Sequence, residues 1–233
     1  MKTQDRKMLL KMNQHVEDAI IDGDIDRLRH LIEMGANIEG KVDGWTPLIR
    51  AAFEGNAEIL SFLLCQGANI NFKDKSKNTA LDWAINLDYS EIVKTIIEHG
   101  AKIEAKDEDD YTPLMLAVGQ NNFDIVRILL EKGANIEARN KEGKTSLILA
   151  VYKETIRILE YLIKMGANIN TVSFDGWTAL MEAIFCDSFQ IVEFLIKNGV
   201  DINAKNNKGE TALEIAIMNQ KTDVVNLIKK YQE

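Results

Sequence analysis

Threonine recurs at one fixed interval along most of this 233-residue chain. Six threonines are each 33 residues from the next, and a leucine stands two positions after each of them. They are Thr46, Thr79, Thr112, Thr145, Thr178 and Thr211. A fixed period of this size predicts a stack of similar supersecondary units, each contacting its neighbours. Such a stack exposes a long surface, so the function to expect first is recognition of another macromolecule.

Residues 107–139 illustrate one unit of the repeat. Thr112-Pro113 predicts the start of a short helix, because the threonine hydroxyl can accept from a first-turn N–H and proline fits the first helical position. Apolar residues at helical spacing predict that this helix and a second one each bury one face. Asn121 and Gly133 predict the ends of the two helices, since both residue types tolerate a positive φ. Each unit is therefore a pair of short helices followed by an extended arm.

Small and apolar residues recur in register with the threonine. The helix-ending glycines are Gly67, Gly100, Gly133, Gly166 and Gly199. Alanine follows three positions after each repeated leucine, at Ala51, Ala84, Ala117, Ala150, Ala183 and Ala216. Two helices approach closely only where the facing residue is small, so we expect these alanines at the helix contacts. We expect the repeated leucine, for example Leu147, to be buried between helices.

This pattern resembles the ankyrin repeat family, whose repeat has a period of 33 residues and the phrase T-P-L-H-x-A. The resemblance covers essentially the whole chain. It implies an all-α ankyrin repeat solenoid, slightly curved, with a helix-turn-helix and a hairpin arm in each repeat. The histidine of the phrase is absent, and its place is taken by Ile49, Asp82, Met115, Ile148, Met181 and Glu214. In the family this histidine ties neighbouring repeats by hydrogen bonds, so the resemblance does not extend to that interaction.

The two ends of the chain depart from the repeat, as capping units do. We expect a single ankyrin repeat domain of seven repeats over residues 1–233, acting as a monomer. Its predicted parts are an N-terminal capping repeat over 1–40, five internal repeats over 41–206 and a C-terminal capping repeat over 207–233. The first helix is expected to be extended, from about residue 4 to 22.

Composition narrows the classes of partner and compartment. The net charge of -8 argues against nucleic acid, which requires a basic surface, and against an anionic membrane. Apolar runs stay well below the roughly 18 residues needed to span a bilayer, and the short apolar stretch near residue 9 is too short for a signal peptide. The two cysteines, Cys65 and Cys186, fall in different repeats and are expected to be free thiols. These features predict a cytoplasmic protein.

The sequence carries no catalytic or cofactor phrase. Gly143-Lys144-Thr145 lacks the upstream glycine of a phosphate loop, and the acidic run 107–110 breaks the spacing of a calcium loop. The three histidines and two cysteines are scattered and form no metal-ligand pattern. We therefore expect no enzymatic activity, no cofactor and no metal.

The resemblance implies a binding surface made by the hairpin tips and the exposed side of the first helix in each repeat. Several of these positions are aromatic, in a chain with only 7% aromatic residues, and aromatic residues are enriched at interface hot spots. The partner-binding residues expected on this basis are Trp45, Phe53, Glu54, Asn78, Leu87, Tyr111, Lys144, Tyr152, Lys153, Phe174, Trp177 and Phe185. Trp83 is assigned to the core, because its position elsewhere holds Leu116, Leu149 and Ile215.

Two interpretations of the aromatic tips remain open. Trp45, Tyr111 and Trp177 fall on alternate repeats, roughly 20 Å apart if each layer adds about 10 Å, and would anchor an extended partner. Alternatively each ring shields its own hairpin, and the binding surface lies on the first helices at Phe53, Tyr152 and Phe185. Substituting Trp45 and Trp177 with alanine would lower affinity in the first case and stability in the second.

The expected function is a non-enzymatic protein-protein interaction scaffold or adaptor, which binds a partner protein on its concave face of helices and tips. The alternative is a binding-type inhibitor or secreted effector that blocks a partner's active site. Both use the same surface, and the identity of the partner does not follow from the fold.

One turn position predicts local strain. Lys77 stands where other repeats hold Gly44, Gly143, Gly176 and Gly209, and where one holds Asp110. Glycine at this place indicates a positive φ, which lysine adopts at a cost.

Overall fold

A computed structural model describes residues 3–232 of the chain, with the side chains of residues 7–232. The described residues form fourteen α-helices and no β-strand, and the helices follow one another in seven pairs. The predicted all-α fold is confirmed. The chain divides into two compact units, an N-terminal unit that ends at Glu108 and a C-terminal unit that begins at Asp109. The expected capping and internal repeats of a single domain stay a prediction.

Three helix pairs make up the N-terminal unit. They are α1 (Thr3–Ile21) with α2 (Ile25–Glu33), α3 (Pro47–Phe53) with α4 (Ala57–Cys65), and α5 (Ala80–Asn86) with α6 (Ser90–Glu98). The first helices pack in order, α1 against α3 and α3 against α5, while α4 packs against α6. The long α1 ends one residue before the expected boundary.

Four helix pairs make up the C-terminal unit. They are α7 (Pro113–Gly119) with α8 (Phe123–Glu131), α9 (Ser146–Tyr152) with α10 (Ile156–Lys164), α11 (Ala179–Phe185) with α12 (Phe189–Lys197), and α13 (Ala212–Met218) with α14 (Thr222–Gln232). The first helices α7, α9, α11 and α13 pack in that order. Their exposed sides therefore form one continuous surface within this unit.

The periodic threonine fixes where the first helix of a pair begins. Its hydroxyl accepts a hydrogen bond from a first-turn N–H at Thr46, Thr79, Thr112, Thr178 and Thr211. Each bond satisfies one of the N–H groups that a helix start leaves unpaired. At Thr145 the hydroxyl is instead buried without a partner. The cap is thus a property of the repeat that single members can lose.

The periodic leucine and alanine form the core of both units. All six repeated alanines have no exposed surface, and Leu147 is only 1% exposed. Both expectations about burial are confirmed. The last repeated leucine, Leu213, is only half-buried. Its helix, α13, packs against the first helix of the preceding pair, α11, and no further helix pair follows in the described chain to cover its other side.

Hydrogen bonds between neighbouring hairpin tips join the repeats inside each unit. In the C-terminal unit, backbone N–H groups donate to the carbonyl of the preceding tip from Lys141 to Asp109, from Phe174 to Glu142 and from Asn207 to Asp175. In the N-terminal unit the N–H of Glu108 donates to the carbonyl of Ser76 at 3.2 Å. These backbone bonds tie neighbouring repeats without the histidine of the family phrase.

Positive φ values occur where the sequence predicts them. Asn121 has a φ of 58° after α7 and Gly133 a φ of 86° after α8. Lys77 has a φ of 63° and Asp110 a φ of 62°, and the four glycines at the same turn position also have positive φ. The expected left-handed backbone at Lys77 is confirmed.

Lys77→Gly is expected to stabilise the protein by about 1 kcal/mol, because glycine adopts this backbone without the steric cost that lysine bears. The N–H of Lys77 donates to the carbonyl of Asp74 at 3.1 Å, and glycine retains that bond. Urea unfolding followed by circular dichroism measures the change. Asp110→Gly is the matched control, with a smaller expected gain because aspartate tolerates positive φ better. A loss of stability in Lys77→Gly would show that the lysine side chain supports the turn.

Candidate partner-binding site

Three aromatic rings of the N-terminal unit form one cluster. The ring centroids of Trp45 and Phe53 are 5.0 Å apart, those of Trp45 and Trp83 are 4.8 Å apart, and those of Phe53 and Trp83 are 5.5 Å apart. Trp83 is half-buried in this cluster, so its assignment to the core is wrong. A hydrogen bond explains its position. The indole N–H donates to the Asp74 carboxylate at 3.0 Å, which holds the ring near the surface.

Arg50 ties this cluster to its surroundings. Its guanidinium lies 4.6 Å from the ring centroid of Trp45. The same group pairs with Glu17 at 2.5 Å and with Glu54 at 3.5 Å. Trp45 therefore contacts two rings and a paired cation of its own unit, which favours a structural role for this tryptophan over the role of a partner anchor.

The other expected binding residues of the N-terminal unit lie outside the ring cluster. Glu54 is exposed at the C-terminal end of α3. Asn78 is half-buried in the hairpin turn, where its N–H donates to the Asp74 carboxylate at 2.9 Å. Leu87 is half-buried and follows α5 as its C-terminal cap. These residues give the N-terminal unit a mixed polar surface.

A surface pocket of about 200 Å³ lies in the C-terminal unit, between the hairpin tips and the exposed sides of α9 and α11. Its lining includes four residues that the sequence predicted for binding, namely Lys144, Tyr152, Trp177 and Phe185. Ser173, Asp175 and Glu182 complete it. The structure thus brings together residues that are up to 41 positions apart in the chain.

Two of the pocket rings meet edge to face. The ring centroids of Trp177 and Phe185 are 5.7 Å apart, with an interplanar angle of 89°. Trp177 is half-buried, whereas Phe185 is 62% exposed. The tryptophan thus supports a phenylalanine ring that remains in water.

A chain of polar contacts crosses the pocket wall. The ammonium of Lys144 donates to the Tyr152 hydroxyl at 3.1 Å, and that hydroxyl donates to the Glu182 carboxylate at 2.6 Å. The same ammonium lies 4.3 Å from the Tyr152 ring centroid and pairs with Glu142 at 2.5 Å. Tyr152 is thereby held in one orientation by a cation on one side and a carboxylate on the other.

The pKa values of these groups are displaced by their environment. Burial, with the hydrogen bond to Glu182, raises the pKa of Tyr152 to about 12. Burial raises the pKa of Glu182, against the hydrogen bond from Tyr152 and the charge of Lys144. For Lys144, burial acts to lower the pKa, but the bonds to Glu142 and Tyr152 outweigh it and raise the value. At neutral pH Tyr152 is therefore a protonated donor.

Three exposed apolar side chains of the C-terminal unit share one register position. Tyr152 ends α9, Phe185 ends α11 and Met218 ends α13, each 33 residues from the next. They are 37%, 62% and 59% exposed. We call these three residues the apolar strip. Met218 was not predicted for binding, although its register with Tyr152 and Phe185 was a signal that could have identified it.

The remaining expected residues lie elsewhere on the C-terminal unit. Tyr111 is half-buried before α7, and Lys153 is exposed as the C-terminal cap of α9. Phe174 is 63% exposed on a hairpin tip. The series of Trp45, Tyr111 and Trp177 includes residues of both units and stays a prediction.

Glu182, which is only 3% exposed, is a further pocket residue that was not predicted from the sequence. A signal for it existed, because the matching position is apolar in three repeats, at Leu116, Leu149 and Ile215. Where this position is not aliphatic, at Arg50, Trp83 and Glu182, the structure shows a polar or aromatic cluster on the exposed side. A break in the apolar pattern is thus the mark of a surface site in this chain.

Metal-binding clusters and membrane-spanning helices are absent from residues 3–232. In this part of the chain no group of three or more His, Cys, Asp or Glu residues could hold a metal ion. No helix there is long and apolar enough to cross a membrane. Cys65 and Cys186 are free thiols, and burial raises the pKa of Cys186, which lowers its reactivity.

Comparison with a family model identifies the repeat. The model described as ankyrin repeats (3 copies) matches residues 16–107, 104–173 and 170–233. Among curated proteins, the chain is 41% identical over 80 residues to Ankyrin repeat, SAM and basic leucine zipper domain-containing protein 1 of Mus musculus, a match that covers 34% of this chain and 17% of that protein. It is 36% identical over 72 residues to Ankyrin repeat and SAM domain-containing protein 6 of Rattus norvegicus, covering 30% and 8%.

A solved structure resembles the chain over most of its length. The ankyrin repeat domain of Bcl-3, described as a unique member of the IkappaB protein family, superposes with a TM-score of 0.82 at 25% identity, covering 91% of this chain and 97% of that domain. The matches to the curated relatives span only small fractions of those longer proteins. The likeness therefore concerns the repeats.

Proposed function

This chain belongs to the ankyrin repeat family, and we propose that it is a non-enzymatic scaffold or adaptor whose partner protein docks on the apolar strip of the C-terminal unit. Ankyrin repeats are generally protein-protein interaction modules, and their fold is typically non-enzymatic. The observation that carries the proposal is the exposure of Tyr152, Phe185 and Met218 in one register on helices that pack in order.

The strip supports this role because its side chains gain by leaving water. Full burial of a large apolar side chain is worth about 1.5–3 kcal/mol. Phe185 and Met218 each keep more than half of their surface exposed, so a partner can recover a large part of that gain. Exposed apolar groups in a contiguous row mark interaction sites more often than single ones do.

The aromatic cluster of the N-terminal unit supports a different role. Trp45 packs on Phe53 and Trp83 and is contacted by the guanidinium of Arg50. Its contacts are already made within the chain, so less remains for a partner to supply. We therefore assign docking to the first helices rather than to the tryptophan tips.

The finer properties of the protein follow as parts of the same proposal. We place the protein in the cytoplasm as a monomer, where the free thiols of Cys65 and Cys186 suit a reducing compartment. The net charge of -8 disfavours nucleic acid as the partner. The alternative, an inhibitor or secreted effector that blocks a partner's active site, would use the same strip, and no feature of the described residues favours it.

The double variant Phe185→Ala/Met218→Ala is expected to reduce partner capture at least tenfold, because it removes the two most exposed members of the strip. Its melting temperature should stay close to that of the wild type. Quantitative affinity purification with mass spectrometry measures capture, and calorimetry measures stability. Trp45→Ala is the contrasting variant, which should lower the melting temperature and keep capture by the folded fraction. If the double variant still captured the partner and folded Trp45→Ala did not, the binding surface would lie at the hairpin tips instead.

A further inference from the structure

We propose that the pocket beside Phe185 receives a cationic side chain of the partner, a lysine or an arginine, from an extended segment whose apolar side chain three positions away lies on Met218. This inference rests on the proposed function, since it supplies the chemistry of the segment that docks on the apolar strip. It assigns a charged subsite to a surface that would otherwise select only for apolar residues.

The pocket combines aromatic rings with carboxylates, which is the combination that recognises a cation. Tyr152, Trp177 and Phe185 supply the rings, and Asp175 and Glu182 supply the carboxylates. A lysine or arginine gains from lying against an aromatic face. It gains further from charge-assisted hydrogen bonds to carboxylate oxygens. A neutral side chain would gain at most a hydrogen bond to a carboxylate, without the attraction of a cation to the rings, and an acidic one would be repelled.

Lys144 shows that this surface attracts a cation. The chain places its own ammonium 4.3 Å from the ring centroid of Tyr152, within hydrogen-bond distance of the hydroxyl. Because Glu142 pairs with Lys144 at 2.5 Å, that cation is already balanced. The pocket therefore retains the negative charges of Asp175 and Glu182, which an incoming cation would neutralise.

The side chain of Glu182 is a fixed part of the pocket wall. It is 3% exposed, and its carboxylate accepts the hydrogen bond of Tyr152 at 2.6 Å. A buried carboxylate costs free energy unless it is paired. A partner cation would supply a second pairing. It would thereby relieve part of the free-energy cost of burying Glu182, and this relief would favour the complex.

The register of the strip sets the spacing of the partner segment. Phe185, which lines the pocket, and Met218 occupy equivalent positions at the ends of the packed helices α11 and α13. Packed helices lie roughly 8–10 Å apart, and an extended chain advances about 3.3 Å per residue. Three residues of an extended segment therefore span the step from the cationic subsite to the surface around Met218. Ile217 is 54% exposed beside Met218 and enlarges that apolar surface.

The test is selection of a random dodecapeptide display library on the purified full chain. We expect enrichment of peptides that carry lysine or arginine with an apolar residue three positions away. Synthetic copies of the enriched peptides should bind at least tenfold more weakly when the cation is replaced by glutamine. The double variant Asp175→Asn/Glu182→Gln should bind the cationic peptides at least tenfold more weakly, and its binding of the glutamine copies should fall by a much smaller factor.

The design of the variants separates an effect of charge on binding from an effect on folding. Glu182→Gln keeps an acceptor for the Tyr152 hydroxyl, so the pocket wall is retained. Glu160→Gln removes the same charge from an exposed position on α10 and should leave peptide binding unchanged. An equal loss of binding in Glu160→Gln would indicate general attraction to an acidic protein and would overturn the cationic subsite.

The outcomes also distinguish this inference from the proposed function. Enriched peptides that are apolar, lack a cation and fail to bind Phe185→Ala/Met218→Ala would support the strip and overturn the subsite. Enriched peptides that bind that double variant as well as the wild type would overturn both. A library without enrichment over its unselected composition would also count against both.

Discussion

Leu147→Ala is expected to destabilise the protein by about 2–5 kcal/mol, the range for removing a buried leucine from a packed core. Leu147 lies in α9, whose neighbours α7 and α11 pack on either side of it, and it is 1% exposed. The loss combines two effects: the transfer free energy of the deleted methyl groups, and the cavity that stays open where the surrounding helices do not collapse into it.

Leu213→Ala is the matched control for this prediction. Leu213 occupies the same register position in α13 and is half-buried, so part of its side chain is already in water. We expect a loss clearly smaller than that of Leu147→Ala. Urea unfolding followed by circular dichroism gives both values. Equal losses, or a loss below about 1 kcal/mol at Leu147, would contradict the packing that the repeat register assigns to this leucine.

The fold was predictable because the repeat encodes the same local chemistry many times. Thr112-Pro113 specifies a helix start, Asn121 and Gly133 specify helix ends, and each of these was found at its place with the expected backbone. Five repetitions of one period leave little room for a different register. Strain at Lys77 was predictable for the same reason, since other members of the repeat show which φ that position requires.

The candidate site was predictable only in part, because register does not specify which side chains of neighbouring repeats meet. Tyr152 and Phe185 were expected from their positions on the first helices. Glu182, which accepts the hydrogen bond of Tyr152, was not, since that bond joins residues 30 positions apart in the chain. Trp83 was assigned to the core by analogy with aliphatic residues, but its indole N–H requires an acceptor, and Asp74 supplies one at the surface.

A buried carboxylate predicts the pH dependence of the N-terminal unit. Asp82 stands at the histidine position of the family phrase and is 1% exposed. One of its oxygens accepts from the N–H and the hydroxyl of Thr79, at 2.7 and 2.8 Å, while the other is buried without a partner. Burial raises the pKa of Asp82 from 3.8 to about 6, although the hydrogen bonds from Thr79 oppose the shift.

The sign of the effect follows from proton linkage. Between pH 3.8 and pH 6 the folded chain holds a proton on Asp82 that the unfolded chain has released. The contribution of Asp82 to stability is therefore fully present below the lower value and is lost as the pH rises through the higher one. A shift of this size corresponds to about 3 kcal/mol in total, of which about 2 kcal/mol falls between pH 4.5 and pH 7.

Asp82→Asn tests this prediction, because asparagine resembles the protonated carboxyl in shape and does not titrate. The stability of the wild type minus that of Asp82→Asn should fall by about 2 kcal/mol from pH 4.5 to pH 7, measured by urea unfolding at several pH values. Glu214→Gln is the matched control. Glu214 makes the same capping hydrogen bonds with Thr211 on an exposed surface, and the bonds from Thr211 lower its pKa. The stability difference for that variant should therefore stay nearly constant from pH 4.5 to pH 7 and fall only as the pH drops below 4.5. If the two variants gave the same pH dependence, burial of Asp82 would not be the cause of its behaviour.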